Sequence, residues 1–258
     1  MKRRTLIHTA ALLGAVASVG LPVSRRAQAA SPSKGPQSWS IAELRAGGTT
    51  GLPARLPPPT FRQLPQCVVT AAKTLGPCHT NDVPIREDVT EGVTGLPTRV
   101  SLRIVDAGTC APLANADVEI WHADVRGVYS GRAARMCNAG DQAANGASFL
   151  RGRQLTDAKG IASFITVYPG WYGGRTPHIH LRILVDQREL LITQLLFDDT
   201  LNDLIYQGHP DYAKRPARST TNQGDMMFSA AEIACFTFDT TRLDAGLIQA
   251  SYTVGVTS

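Results

Sequence analysis

The sequence predicts an all-β protein, an antiparallel β-sandwich or barrel with few short helices. Three observations lead there: short runs that alternate apolar and polar residues, turn residues between those runs, and the lack of any sustained 3.6-residue period. Six such runs can be read in order. Arg99 to Val105 ends at the turn Asp106-Ala107-Gly108, and Ala116 to His122 follows. Gly160 to Val167 comes after the turn Asp157-Ala158-Lys159-Gly160, then His178 to Val185. Leu190 to Phe197 follows Asp186-Gln187, and Tyr252 to Val256 closes the series. Strands at this spacing bury one face each and need a second layer to cover it, which is the economy of a sandwich.

The chain of 258 residues has 26 Lys and Arg, 21 Asp and Glu and a formal charge of +5. Lys2, Arg3, Arg4, Arg25 and Arg26 carry that excess, and beyond them basic and acidic residues are equal in number. A nucleic-acid partner or an anionic surface is therefore not indicated. Residues 1–29 have the three parts of an export signal: Lys-Arg-Arg, an apolar stretch from Thr9 to Val23, and the small-residue site Ala27-Gln28-Ala29. The stretch is too short to serve as a stable membrane anchor. Arg3-Arg4 also suggests the twin-arginine route for folded proteins. The mature protein is thus expected to begin near Ala30 and to work in the periplasm or outside the cell.

Residues 30–65 are rich in Ser, Gly, Pro and Thr, including Gly47-Gly48-Thr49-Thr50-Gly51 and Pro57-Pro58-Pro59, and read as a mobile arm. Within it Ser40 can cap a short helix over Ile41 to Arg45. Residues 66–258 form the expected folded domain. It contains Cys67, Cys78, Cys110, Cys137 and Cys235, none in a CxxC pair, which argues against a thiolate zinc site. In an oxidising compartment five cysteines imply two disulfides and one thiol, with the pairing open.

Chemistry concentrates around His178-Ile179-His180. In a strand both imidazoles face one side, so two ligands come prepositioned on a rigid element. The turn-rich loop Tyr168 to Pro177 feeds that strand and brings Tyr168, Tyr172 and Arg175 close in sequence. Phenolate favours a hard ion such as Fe(III), whereas two imidazoles alone suit zinc, copper or Fe(II). The plainer alternatives are packing aromatics, a surface arginine and solvated histidines.

Several segments together resemble the intradiol ring-cleavage dioxygenases. Thr166 to Tyr172, then Arg175, then His178-Ile179-His180 are similar to that family's Pro-Gly-x-Tyr, Arg, His-x-His signature. Ile120 to Gly131 is similar to the segment holding its first tyrosine ligand, and Phe149 to Gln154, Thr156 to Gly160 and Thr193 to Phe197 match further on. The resemblance implies an antiparallel β-sandwich and a non-haem Fe(III) held by Tyr129, Tyr172, His178 and His180, with water or hydroxide as fifth ligand. Arg175 and Gln194 are implied to line the substrate site, and Tyr172 to act as the base. The expected reaction cleaves the ring of a catechol-type substrate between its hydroxyls with O2, giving a muconate-type diacid.

One departure stands out. Where the family often has Glu-Gly-Pro-Tyr-Tyr, this chain has Leu75-Gly76-Pro77-Cys78-His79. Leu75, Cys78 and His79 are therefore expected at a roomier substrate pocket, open to several substituted catechols or to hydroxyquinol. Two other readings predict different proteins: a secreted binding module without iron, and a zinc or copper protein using His178 and His180 alone.

Overall fold

Hydrogen-bonded strands build two four-stranded sheets. The computed structural model describes residues 39–62, 68–132, 135–138 and 140–257, all within one compact unit. The strands are β1 (Pro97–Asp106), β2 (Asp117–Trp121), β3 (Arg151–Leu155), β4 (Ile161–Val167), β5 (His178–Val185), β6 (Arg188–Leu196), β7 (Asp239–Arg242) and β8 (Ile248–Val256). One sheet has the order β4-β1-β8-β7 and the other β3-β2-β5-β6. Among the described residues four short α-helices join them: α1 (Arg135–Asn138), α2 (Gln142–Gly146), α3 (Asp199–Gly208) and α4 (Ile233–Phe236). None of the described helices is long and apolar enough to cross a membrane.

Alternation decides which side chains meet in the core. Val100, Leu102 and Ile104 of β1 and Phe164 of β4 join Val118 and Ile120 of β2 and Ile179, Leu181 and Ile183 of β5 in one buried cluster. Residues of opposite parity on β2 and β5 are left for the outer face of the second sheet.

The six predicted strands are all present. β8 starts earlier, at Ile248, and pairs with β1 in parallel, whereas the other pairings between named strands are antiparallel. β3 and β7 lacked a clear apolar alternation. Arg151-Gly152-Arg153-Gln154 carries polar side chains on both parities, and pairing with β2 makes it a strand. Helix α3 has a tertiary origin as well: Asp198 caps it, accepting from the Thr200 N–H, and Leu201 and Ile205 dock into the core.

The Pro/Gly-rich segment is not a mobile arm over its described part. Ser40 caps a single 3-10 turn at Ile41–Glu43 with a reciprocal bond to Glu43. Leu44 enters the main core. Arg45 N–H donates to Gly246 C=O at 2.8 Å, Gly48 N–H to Gly95 C=O at 2.8 Å, and Gly47 N–H to Asp211 Oδ2 at 2.8 Å. Glycine composition signalled freedom, but these glycines are used for close backbone contact. Gly48 has φ +89, close to the +86 of its neighbour Gly47, and a Cβ on it would lie 2.8 Å from Val93 O. The expected leader lies outside the described residues, as does Cys67.

A buried polar contact spans the two sheets. His122 Nδ1–H donates to Ala123 C=O at 2.9 Å, which leaves Nε2 to accept from the Thr166 hydroxyl at 2.7 Å. Complete burial pulls the His122 pKa down to about 4. Because the folded value lies below the unfolded one, the unfolded chain takes up the extra proton, and stability falls as pH drops from about 6.5 towards 4. The difference corresponds to about 3 kcal/mol. Urea unfolding from pH 7 to pH 4.5 should show a slope that His122→Gln reduces by about one proton; an identical slope in both proteins would remove His122 from the acid response.

Candidate active site

Register assembles the site before any loop is considered. Trp121 pairs with Arg151 on one side and with His180 on the other, and His180 pairs with Gln194. Directly paired residues point to the same face, so Arg151, Trp121, His180 and Gln194 form one row across all four strands. His178 stands on that face two residues from His180. The Trp121 and His180 rings stack, with centroids 4.7 Å apart and planes at 10°.

Two tyrosines reach the same spot from loops. Asp124 builds the first, its Oδ1 accepting from the N–H groups of Arg126 and Val128 at 2.8 and 3.0 Å. That turn delivers Tyr129, whose N–H donates to Cys137 C=O at 2.8 Å. Tyr172 comes from the turn before β5, closed by Arg175 N–H donating to Tyr172 C=O at 3.2 Å.

The donor atoms converge. Tyr129 Oη lies 3.4 Å from Tyr172 Oη and 3.3 Å from His178 Nε2. His178 Nε2 lies 3.2 Å from Tyr172 Oη and 3.2 Å from His180 Nε2. Adjacent ligands sharing a first-row metal at bonds of about 2.0–2.1 Å are spaced this way. His178 Nδ1–H donates to Thr176 C=O at 2.6 Å, which aims the Nε2 lone pair into the cluster. His180 Nδ1 is buried without a hydrogen-bond partner. Among the described residues no three His, Cys, Asp or Glu side chains come together for a metal; the cluster is made of two imidazoles and two phenols.

Burial sets the resting charges. It holds His178 down at about 3, with Arg175 adding to the effect, and His180 well below its usual range, with His178 adding there. Both imidazoles are thus neutral and have lone pairs to give. Burial also raises Tyr129 well above the ordinary phenol range, and raises Tyr172 against the pull of Arg175. A buried phenolate needs a cation close by, so the cluster suits a hard, highly charged ion.

The predicted neighbours behave differently from one another. Arg175 Nη2 donates to Gln194 Oε1 at 2.5 Å, and Gln194 Nε2 to Thr74 C=O at 3.0 Å, so these two residues are joined beside the cluster. Leu75, like Tyr172, packs against the buried cluster of Cys78, Trp121, Ala123, Tyr129 and Cys137. Cys78 is consumed in a disulfide with Cys137. His79 is no surface histidine: its Nε2 meets Glu119 Oε1 at 2.7 Å and its ring meets the edge of Trp121, one layer behind His180. Cys110 is also disulfide-bonded, and among the described residues Cys235 is a free, exposed thiol. Tyr168, the other phenol of the loop, turns away into the core and donates to Asn202 Oδ1 at 2.7 Å.

A family model described as dioxygenase matches residues 74–223. The chain belongs to the intradiol ring-cleavage dioxygenase family. It is 33% identical over 141 residues to the protocatechuate 3,4-dioxygenase beta chain of Burkholderia cepacia, covering 48% of this chain and 58% of that one. The chain therefore spans less than two thirds of that relative. An intradiol ring-cleavage dioxygenase from Tetranychus urticae superposes with a TM-score of 0.66 at 29% identity, over 74% of this chain and 95% of that one. The dioxygenase domain of a dioxygenase carbohydrate-binding protein fusion from Streptomyces sp. SirexAA-E gives 0.53 at 25% identity, over 74% and 99%.

Two residues of this intradiol dioxygenase site escaped the sequence reading. Asp225, with no exposed side-chain surface, accepts from Arg175 Nε at 2.9 Å and from the N–H groups of Thr176 at 2.8 Å and Met227 at 2.9 Å. Nothing in its surroundings in the sequence marks it. Arg151, almost wholly buried, donates through Nε and Nη2 to Ser130 C=O and through Nη2 to Cys78 C=O at 2.7 Å. Burial pushes its pKa down to about 10. Its place in the row with Trp121 and His180 was the available signal, and reading it required the strand register. Asp225→Ala leaves a largely buried guanidinium unpaired and two amides without acceptors. Urea unfolding should report a loss of about 3–5 kcal/mol; a loss under about 1 kcal/mol would mean that solvent replaces the carboxylate.

Proposed function

We propose that the protein is a non-haem Fe(III) dioxygenase that opens the ring of catechol-type substrates between the two hydroxyls with O2, giving muconate-type diacids. The observation that carries this reading is the convergence of Tyr129, Tyr172, His178 and His180 on one point, with Arg175 and Gln194 alongside. Those four residues would hold the iron. Fe(III), when bound, supplies a Lewis acid for two adjacent oxygens and activates the electron-rich ring towards O2.

The chain's own groups do the rest. The two tyrosines differ in burial, Tyr129 being 1% exposed and Tyr172 partly open. Tyr172 sits on a turn followed by Gly173 and Gly174 and can move without disturbing a strand. We therefore assign it the proton of one substrate hydroxyl, taken up at Oη. Arg175, held through Nε by Asp225 and through Nη2 by Gln194, presents a fixed positive charge to the anionic ring. Trp121 fixes the ring plane of His180 by stacking. Leu75 offers an apolar contact, and with Cys78 and His79 engaged elsewhere the wall lacks bulky side chains at those two positions, which supports acceptance of substituted catechols. Disulfides at Cys78 and Cys110 suit an oxidising compartment, in line with export.

Oxygen uptake with a panel of catechol, substituted catechols and hydroxyquinol tests the reaction, with stoichiometric ring-opened diacid as the expected product. Fe(III) titration tests the site. The loaded protein should show the broad visible band of ferric tyrosinate, and His178→Ala with His180→Ala should lose most of the metal. Because both phenols are neutral at pH 7, each must shed a proton to bind iron, and affinity should rise with pH. The parent should release one proton more per iron than Tyr129→Phe. Stoichiometric iron in the double histidine variant would sink the assignment.

A further inference from the structure

Tyr129 is the one donor of the cluster that no strand or strand-adjacent turn holds. Its backbone is tied to Cys137 C=O, and Cys137 lies in α1, a helix of four residues. Such a helix has no stability of its own. What anchors it is the Cys78–Cys137 disulfide, which spans a sequence separation of 59.

The other end of that bond belongs to the opposite wall. Cys78 follows Gly76 and Pro77, and Gly76, at φ +74, crosses the His180 ring so closely that a Cβ there would lie 3.2 Å from His180 Cε1. Arg151 adds a second tie between the same two segments, donating to Cys78 C=O at 2.7 Å and to the C=O of Ser130, the residue after Tyr129. Cys78, Cys137, Tyr129, Trp121 and Ala123, with Leu75 and Tyr172, form an apolar cluster of their own beside the main core.

We propose that the Cys78–Cys137 disulfide is a positioning element of the metal centre, holding Tyr129 and the segment over His180 at the spacing where the four donors converge. This rests on the iron reading above. The site is then complete only in a chain oxidised at this bond. Without it the phenol of Tyr129 has to be ordered at the expense of metal affinity, while His178 and His180 stay in register on β5.

A double-mutant cycle distinguishes this from general stabilisation. Fe(III) affinity is measured by chelator competition, together with the tyrosinate band, in the parent, in Cys78→Ser/Cys137→Ser, in Tyr129→Phe, and in the combination. Removing the disulfide from the parent should weaken iron about 10- to 100-fold and reduce the band. In the Tyr129→Phe background the same removal should change affinity by no more than about 2-fold, because the residue it positions no longer donates. An equal loss in both backgrounds, or no loss in the parent, overturns the proposal. If the double serine variant does not fold, Arg151→Lys replaces it in the cycle: it keeps the disulfide and the charge but loses the fork to Cys78 and Ser130, and the same non-additive pattern is required. A parent that binds no Fe(III) overturns both this proposal and the iron reading; a parent that binds iron alongside indifferent variants overturns this one alone.

Discussion

The site depends on the pairing register of β2, β5 and β6. Trp121 opposite His180, and His180 opposite Gln194, place an aromatic plane, an imidazole and an amide in one row on the outer face of a sheet. A slip of one residue would send His180 and His178 into the core and bring Ile179 and Leu181 out. The apolar inner face forbids that slip, because Val118, Ile120, Ile179, Leu181 and Ile183 all lie in the main core cluster. Core packing and site geometry are thus one constraint: the burial that stabilises the sandwich also aims the histidines.

The outer face of a sheet would ordinarily be wet, and solvated imidazoles and phenols would have no shifted pKa values. Segments without regular structure change that. The stretch over Gly76 to Cys78 lies against His180, the Tyr129 loop closes another side, and the segment around Asn222 and Asp225 backs the turn before β5. Asn222 Oδ1 accepts from the Thr176 hydroxyl at 2.6 Å and Asp225 Oδ2 from the Thr176 N–H. The desolvation they cause favours neutral imidazoles and protonated phenols. The guanidinium groups of buried Arg151 and partly buried Arg175 add to the effect on His180 by opposing its protonated form, and work against it at Tyr129, where they favour phenolate.

The two phenols are held unequally. Tyr129 is enclosed, tied by its backbone to α1 and flanked by a disulfide. Tyr172 is partly open, on a turn rich in glycine. The two differ in freedom to move, since shifting a buried polar group within an apolar wall costs far more than shifting one towards solvent.

Much of this was legible in the sequence. Period-two alternation gave six strands, the His-x-His spacing put both imidazoles on one face, and the order of Tyr129, Tyr172, Arg175, His178, His180 and Gln194 pointed to the family and to the side chains that converge. Local patterns of that kind are written by backbone geometry, so they can be read without knowing what packs where. The parallel pairing of β8 with β1, the docking of residues 39–62 and the strand character of the polar β3 were decided by partners distant in the chain. So were the roles of Asp225, Arg151 and the Cys78–Cys137 pair, and the turning of His79 towards Glu119. An acid becomes an anchor, a cysteine a staple and a histidine a second layer only through the neighbours that tertiary packing supplies. Desolvation and hydrogen bonding depend on those neighbours in space, and spacing along the chain carries no record of them.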